Sequence, residues 1–133
     1  MSFEFSRNVR DANFEKSAAL AQAGANSPTI DLEQAVGGDI ETIVGQIELP
    51  AVAGIADAKS LSFQLYDSAD GSNWAAVDPA ITTKVTASGG AGTAAGDKRF
   101  RFPPITRRYV RIQQTADASA GTFSGSFIFR LLF

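Results

Sequence analysis

The side chains here that could do chemistry are acids, arginines and hydroxyls, because the chain contains neither Cys nor His. That removes disulfides, thiolate and imidazole metal ligands, cysteine nucleophiles, the Ser-His-Asp triad and a histidine pH switch. Three arrangements remain to be weighed. Asp67, Asp70 and Asp78 form an acidic cluster, but a calcium loop starting at Asp67 needs side-chain oxygens two and four residues on. Ala69 and Gly71 stand at those positions, and Ala69-Asp70-Gly71-Ser72 reads instead as a hairpin turn, with Gly taking positive φ. Gly90-Ala91-Gly92-Thr93-Ala94-Ala95 matches a G-x-G-x-x-A string. A dinucleotide site there needs a helix N-terminus to hold the pyrophosphate. An Arg/Phe strand follows instead, and Gly96-Asp97 lacks the Lys-Ser/Thr pair of a phosphate loop. The expectation for 87–96 is a flexible hairpin tip. Glu41 and Glu48 lie seven apart in one strand, hence on opposite faces, and cannot be the facing carboxylates of a glycoside hydrolase. These residues imply no cofactor and no metal, and the chain is expected not to be an enzyme.

The arginines carry the remaining signal. Residues 1–80 hold 12 acids and 4 bases, a sum of −8, and residues 81–133 hold 2 acids and 8 bases, a sum of +6, which together give the net −2. Arg99, Arg101 and Arg111 beside Tyr109 would suit a basic sheet face with a stacking ring for single-stranded nucleic acid. They would equally suit a protein interface, where arginine and aromatics are enriched, or a solvated strand face. A pI near 5.0 marks no nucleic-acid binder, and the interface reading is preferred, with no nucleic-acid partner expected. An acidic front half can pair with the basic back half of a neighbouring copy, a heterologous contact of the kind that closes into rings such as trimers.

The elements that must position these residues read as short strands. Hydrophobic alternation of period two recurs between Gly, Pro, Asn and Asp breaks over Pro28–Leu32, Glu41–Leu49, Ser60–Asp67, Trp74–Val77, Ile81–Thr86, Arg99–Phe102 and Tyr109–Thr115, with a weaker candidate at Ser17–Ala23. Phe123, Phe127, Phe129, Leu131 and Phe133 share a face, and Arg130 points the other way. Eight or nine such strands in 133 residues predict an all-β, single-domain sandwich or barrel over 14–133. Residues 1–13 lack period yet contain Phe3 and Phe5, the pattern of an extended arm that buries its aromatics elsewhere. The segment 1–14 has no uninterrupted apolar run of a secretory signal, and no stretch reaches the 18 apolar residues of a membrane span, so synthesis in the cytosol and no membrane partner are expected.

Three pieces together carry a resemblance. They are Leu61-Ser62-Phe63-Gln64-Leu65 with Asp67-Ser68-Ala69-Asp70-Gly71-Ser72-Asn73-Trp74, then Arg101-Phe102-Pro103-Pro104, then Arg108-Tyr109-Val110-Arg111-Ile112 followed by Ala118-Ser119-Ala120-Gly121-Thr122-Phe123. Over about Thr29 to Phe133 the chain resembles the small jelly-roll capsid cement (decoration) proteins of tailed bacteriophages. The resemblance implies a jelly-roll β-sandwich with an extended N-terminal arm, and a homotrimer on the outer surface of the virion. There it would clamp major capsid protein subunits without catalysis. Phe3 and Phe5 would then anchor the arm, and Arg107, Arg108 and Arg111 would make subunit or capsid contacts. The same hairpin and R-Y-V-R strand also resemble discoidin-type modules, which bind sugars or lipids through loops at one end. Those modules usually close with a Cys pair, which this chain lacks.

Overall fold

The computed structural model describes residues 10–32, 44–77, 80–103 and 106–132, with only the backbone of 10–13. Among these residues there are ten strands in chain order: β1 (Arg10–Ala19), β2 (Ala25–Asn26), β3 (Ile30–Asp31), β4 (Val44–Leu49), β5 (Ser60–Ser68), β6 (Ala75–Ala76), β7 (Thr82–Thr86), β8 (Gly96–Arg101), β9 (Tyr109–Ala116) and β10 (Ser126–Leu132). They form two antiparallel sheets. The first has the order β1-β10-β4-β8; the second runs β2-β9-β5-β6, with β3 also on β9 and β7 on β5.

The pairing is nested. β1 pairs β10, β2 and β3 pair β9, β4 pairs β8, and β5 pairs β6 and β7, with successive pairs falling in alternate sheets until the innermost. β10 on β4 and β9 on β5 then complete each sheet. A long antiparallel ribbon wound about the core in this way is a jelly roll. The expected all-β antiparallel sandwich is therefore the fold of this chain.

Strands with clean alternation sit where two layers face each other. Leu61, Phe63 and Leu65 of β5 and Val110 and Ile112 of β9 are buried from the second sheet, and Ile47, Phe127, Phe129 and Leu131 from the first. The Phe63 and Phe127 rings meet edge-to-face with centroids 5.2 Å apart, joining the layers. Each such side chain contributes about 1.5–3 kcal/mol over leaving it in water. Gly45 of β4 lies opposite Phe100 of β8, and a Cβ there would run into the Phe100 ring. The missing side chain is what lets Phe100 lie across β4 and stack on Phe129.

Three differences from expectation have physical reasons. β1 starts at Arg10, inside the segment read as an arm, because the polar, Ala-rich stretch Arg10–Ala19 is made a strand by pairing with β10 rather than by its own pattern. The glycine-rich loop is not free. Val52 and Thr93 bridge it to the β4–β5 connection through bonds of 3.0 and 2.9 Å, and the Gly90 amide donates to Asp57. Gly92 sits at φ +73°, close against the Val52 carbonyl. Arg130 does point away from Phe129, yet its side chain is only 2% exposed.

Candidate functional site

Two of the stretches that carry the resemblance, Asp67–Trp74 and Arg108–Ile112, meet at one end of the second sheet. β5 and β9 run antiparallel in unbroken register from Leu61↔Ala116 to Ser68↔Tyr109, so the turn after β5 and the start of β9 meet. That turn is fixed by Asp70. Its Oδ1 accepts from the amides of Ser72 (2.8 Å) and Asn73 (2.9 Å), and its Oδ2 from Asn73 Nδ2 (2.8 Å). Ser68 Oγ donates to Asp70 Oδ1 and accepts from the Gly71 amide at 2.8 Å. The backbone donors of Asn73 and Ser72, ahead of the Asn73 and Ser68 side chains, hold the Asp70 carboxyl well below its ordinary pKa of 3.8. The aspartate is thus spent on the turn, and among the described residues no group of three acids converges on a metal-sized site.

Each of the three arginines expected at an interface is tied inside the chain. Arg107 wraps Asp67: its Nη2 and Nε donate to Oδ1 at 2.8 and 3.1 Å, and its amide to Oδ2 at 3.0 Å. Hydrogen bonding to Asp67 raises the Arg107 pKa. Arg108 forks onto Asp31, Nε to Oδ1 at 3.0 Å and Nη2 to Oδ2 at 2.9 Å, and lies over the Tyr109 ring at 4.9 Å. Arg111 covers the Trp74 ring at 4.1 Å, with its Nε buried and, among the described residues, without a hydrogen-bond partner. Desolvation lowers its pKa. Arg107 and Arg108 keep 42% and 47% of their side chains in solvent, so the groups that hold Asp67 and Asp31 also show a charged, aromatic-backed surface. Phe3 and Phe5 lie outside the described residues.

A second cluster escaped sequence reasoning. On the outward face of the first sheet, Arg130 Nη2 donates to Glu15 Oε1 at 2.7 Å, while Nη1 lies 2.8 Å from Glu48 Oε2 and donates to Gln46 Oε1 at 3.1 Å. Burial alone would lower the Arg130 pKa; Glu15 and Glu48 outweigh it and hold the pKa above the ordinary value. Register places these residues, since Arg130 pairs Glu15 on one side and Gln46 on the other. Only the presence of a lone Arg in an apolar strand hinted at the cluster.

Glu15, Asp31, Glu48 and Asp67 of the acidic front half are therefore satisfied by Arg107, Arg108 and Arg130 of the basic back half. The nested winding brings the two halves together within one molecule. Part of the charge polarity expected to join neighbouring copies is thus spent inside the chain, four of the front half's twelve acids on three of the back half's eight bases. The edge strand β8 keeps exposed charge instead, with Asp97, Lys98, Arg99 and Arg101 along it.

No family model and no curated protein matches the chain. Among solved structures it is similar to PirA (12% identity, 91% of this chain and 95% of that one, TM-score 0.47) and to the xylan-binding module CBM15 (15% identity, 92% and 94%, TM-score 0.35). Likeness at this level carries nothing about function.

Proposed function

We propose that this chain is a structural virion protein, a capsid cement protein that binds between major capsid protein subunits on the outer surface of a tailed-phage capsid and acts as a homotrimer without catalysis. The observation that carries the reading is the convergence of two of the pieces behind the resemblance. The Asp67–Trp74 turn and the Arg108–Ile112 strand are joined by Arg107 on Asp67 and Arg111 on Trp74 into one braced unit. A rigid, half-exposed surface of charge and aromatic rings suits a permanent protein contact, because its side chains are ordered before binding and lose little entropy on docking. Many copies on one capsid then add weak contacts into firm attachment.

The test mixes purified protein with undecorated capsids of the phage that encodes it and sediments them. Saturable co-sedimentation at a fixed number of copies per capsomer, with a trimer mass by light scattering, is expected. Protein that stays in the supernatant at all ratios overturns the reading. Removing residues 1–9, which include Phe3 and Phe5 and stop short of β1, is expected to weaken occupancy while leaving the melting transition in place.

A further inference from the structure

The solvent face of the second sheet carries side chains with no task inside the chain. Register places Thr115, Ser62 and Lys84 in one row across β9, β5 and β7. The next row runs Asn26, Gln113, Gln64 and Thr82 across β2, β9, β5 and β7. Tyr66 follows, opposite Arg111. All alternate with core residues and so share the outward face. A groove of about 220 Å³ lies over them, lined by Ser62, Gln64, Tyr66, Thr82, Gln113 and Thr115 among others. Among the described residues, none of these six side chains makes a hydrogen bond within the chain. The amide row crosses four strands, about 14 Å at ~4.8 Å per strand.

We propose that this groove binds a neutral, extended oligosaccharide. Glutamine amides and Ser, Thr and Tyr hydroxyls offer donors and acceptors side by side, and sugar hydroxyls need both. The Tyr66 ring supplies an apolar surface for one pyranose face, and Arg111, seated on Trp74 beside it, holds that end of the groove rigid. The groove is smaller than the ~300–1,000 Å³ of sites that engulf a whole small molecule, which suits one ring of a longer ligand lying across the strands. A nucleic-acid track needs a run of cations for the phosphates, and this face offers Lys84 and the seated Arg111. A purely apolar ligand would strip water from the amides and return no hydrogen bond. The site lies on the sheet face, along the strands rather than in the end loops. It stands whether or not the chain is a capsid protein, because it uses none of the residues assigned to that contact except Arg111, whose part here is to brace.

The test is NMR titration of isotope-labelled protein with cellohexaose and with chitohexaose, following the Gln64 and Gln113 side-chain amides. Saturable shifts of those amides with either sugar are expected, unchanged between about 50 and 200 mM salt, a range over which phosphate-driven binding would fall steeply. Gln64→Ala and Gln113→Ala should each weaken binding about three- to tenfold, the loss expected for one hydrogen bond, with the thermal transition unmoved. The proposal is overturned if neither sugar gives saturable shifts, if the shifts fall only on the end loops, or if both variants bind as well as the parent. Salt-sensitive occupation of the groove by oligo(dT), with no response to sugar, overturns it in favour of a nucleic-acid face.

Discussion

Arg130 shows how far a single residue departs from what its strand position implies. Alternation puts it on the face opposite Phe129, where an arginine would ordinarily reach water, yet it is buried and held by Glu15, Glu48 and Gln46. Removing the wrong partner of such a cluster is costly, since an uncompensated buried charge is worse than a lost contact. Glu15→Gln combined with Glu48→Gln strands the guanidinium and should cost about 3 kcal/mol. Arg130→Met leaves two partly exposed carboxylates that water can reach and should cost less, about 1–2 kcal/mol. Urea unfolding of the two variants checks the order, and a larger loss for Arg130→Met would contradict it. Asp70 makes a pH-dependent counterpart. Its folded pKa lies below 3.8, so its contribution to stability is complete at pH values well above 3.8 and fades as pH falls through the lower folded value. Asp70→Asn should therefore melt earlier than the parent at pH 6, and the gap should close in strong acid; a gap that does not change with pH would refute this. The turn at Asp70 was legible from the Asp-Gly pair alone. The Arg130 cluster was not, because its burial depends on strands 115 and 84 residues away in sequence.

At the scale of elements, legibility followed how much of its own conformation a segment determines. β5 and β9 were readable almost to the residue, since Leu61, Phe63, Leu65, Val110 and Ile112 alternate strictly and face one core. β1 was anticipated only at its last three residues and β2 not at all; their strand character is conferred by β10 and β9. The glycine-rich loop looked unconstrained because its hydrogen bonds go to Val52 and Asp57, far away in sequence. The contact of Gly45 with Phe100 shows the same dependence between β4 and β8. Gly45→Ala should destabilise by about 1–3 kcal/mol through overpacking. Pairing it with Phe100→Leu should cost less than the sum of the two single changes, since the smaller side chain relieves the clash. Additive losses in a double-mutant cycle would show that the two strands do not constrain each other this way.

For the whole molecule, the winding decides where the charge goes. The front and back halves carry −8 and +6, which from sequence alone reads as an invitation to a neighbouring copy. Folded, four front-half acids already have three back-half arginines as partners. Reversing Arg107 to Glu would set a carboxylate against the buried Asp67, so its first effect should be on the monomer: a lower melting temperature. Calorimetry below the concentration of any assembly checks this, and an unchanged melting temperature would free Arg107 for the purely intermolecular role. Arg99→Glu and Arg101→Glu on the exposed strand β8 should leave melting unchanged, and so report on surface contacts alone.

The placement of β10 also governs when the molecule can exist. β10 is made after the other described strands, yet it lies between β1 and β4 in the first sheet. Until residue 132 is available, β1 has no neighbour and β4 has only β8, so half of the core has no layer to close against. Contacts so distant in sequence carry a high contact order, which slows folding and makes the first sheet wait for β10. A chain cut short before β10 exposes the strand edges of β1 and β4 and is a substrate for degradation or aggregation.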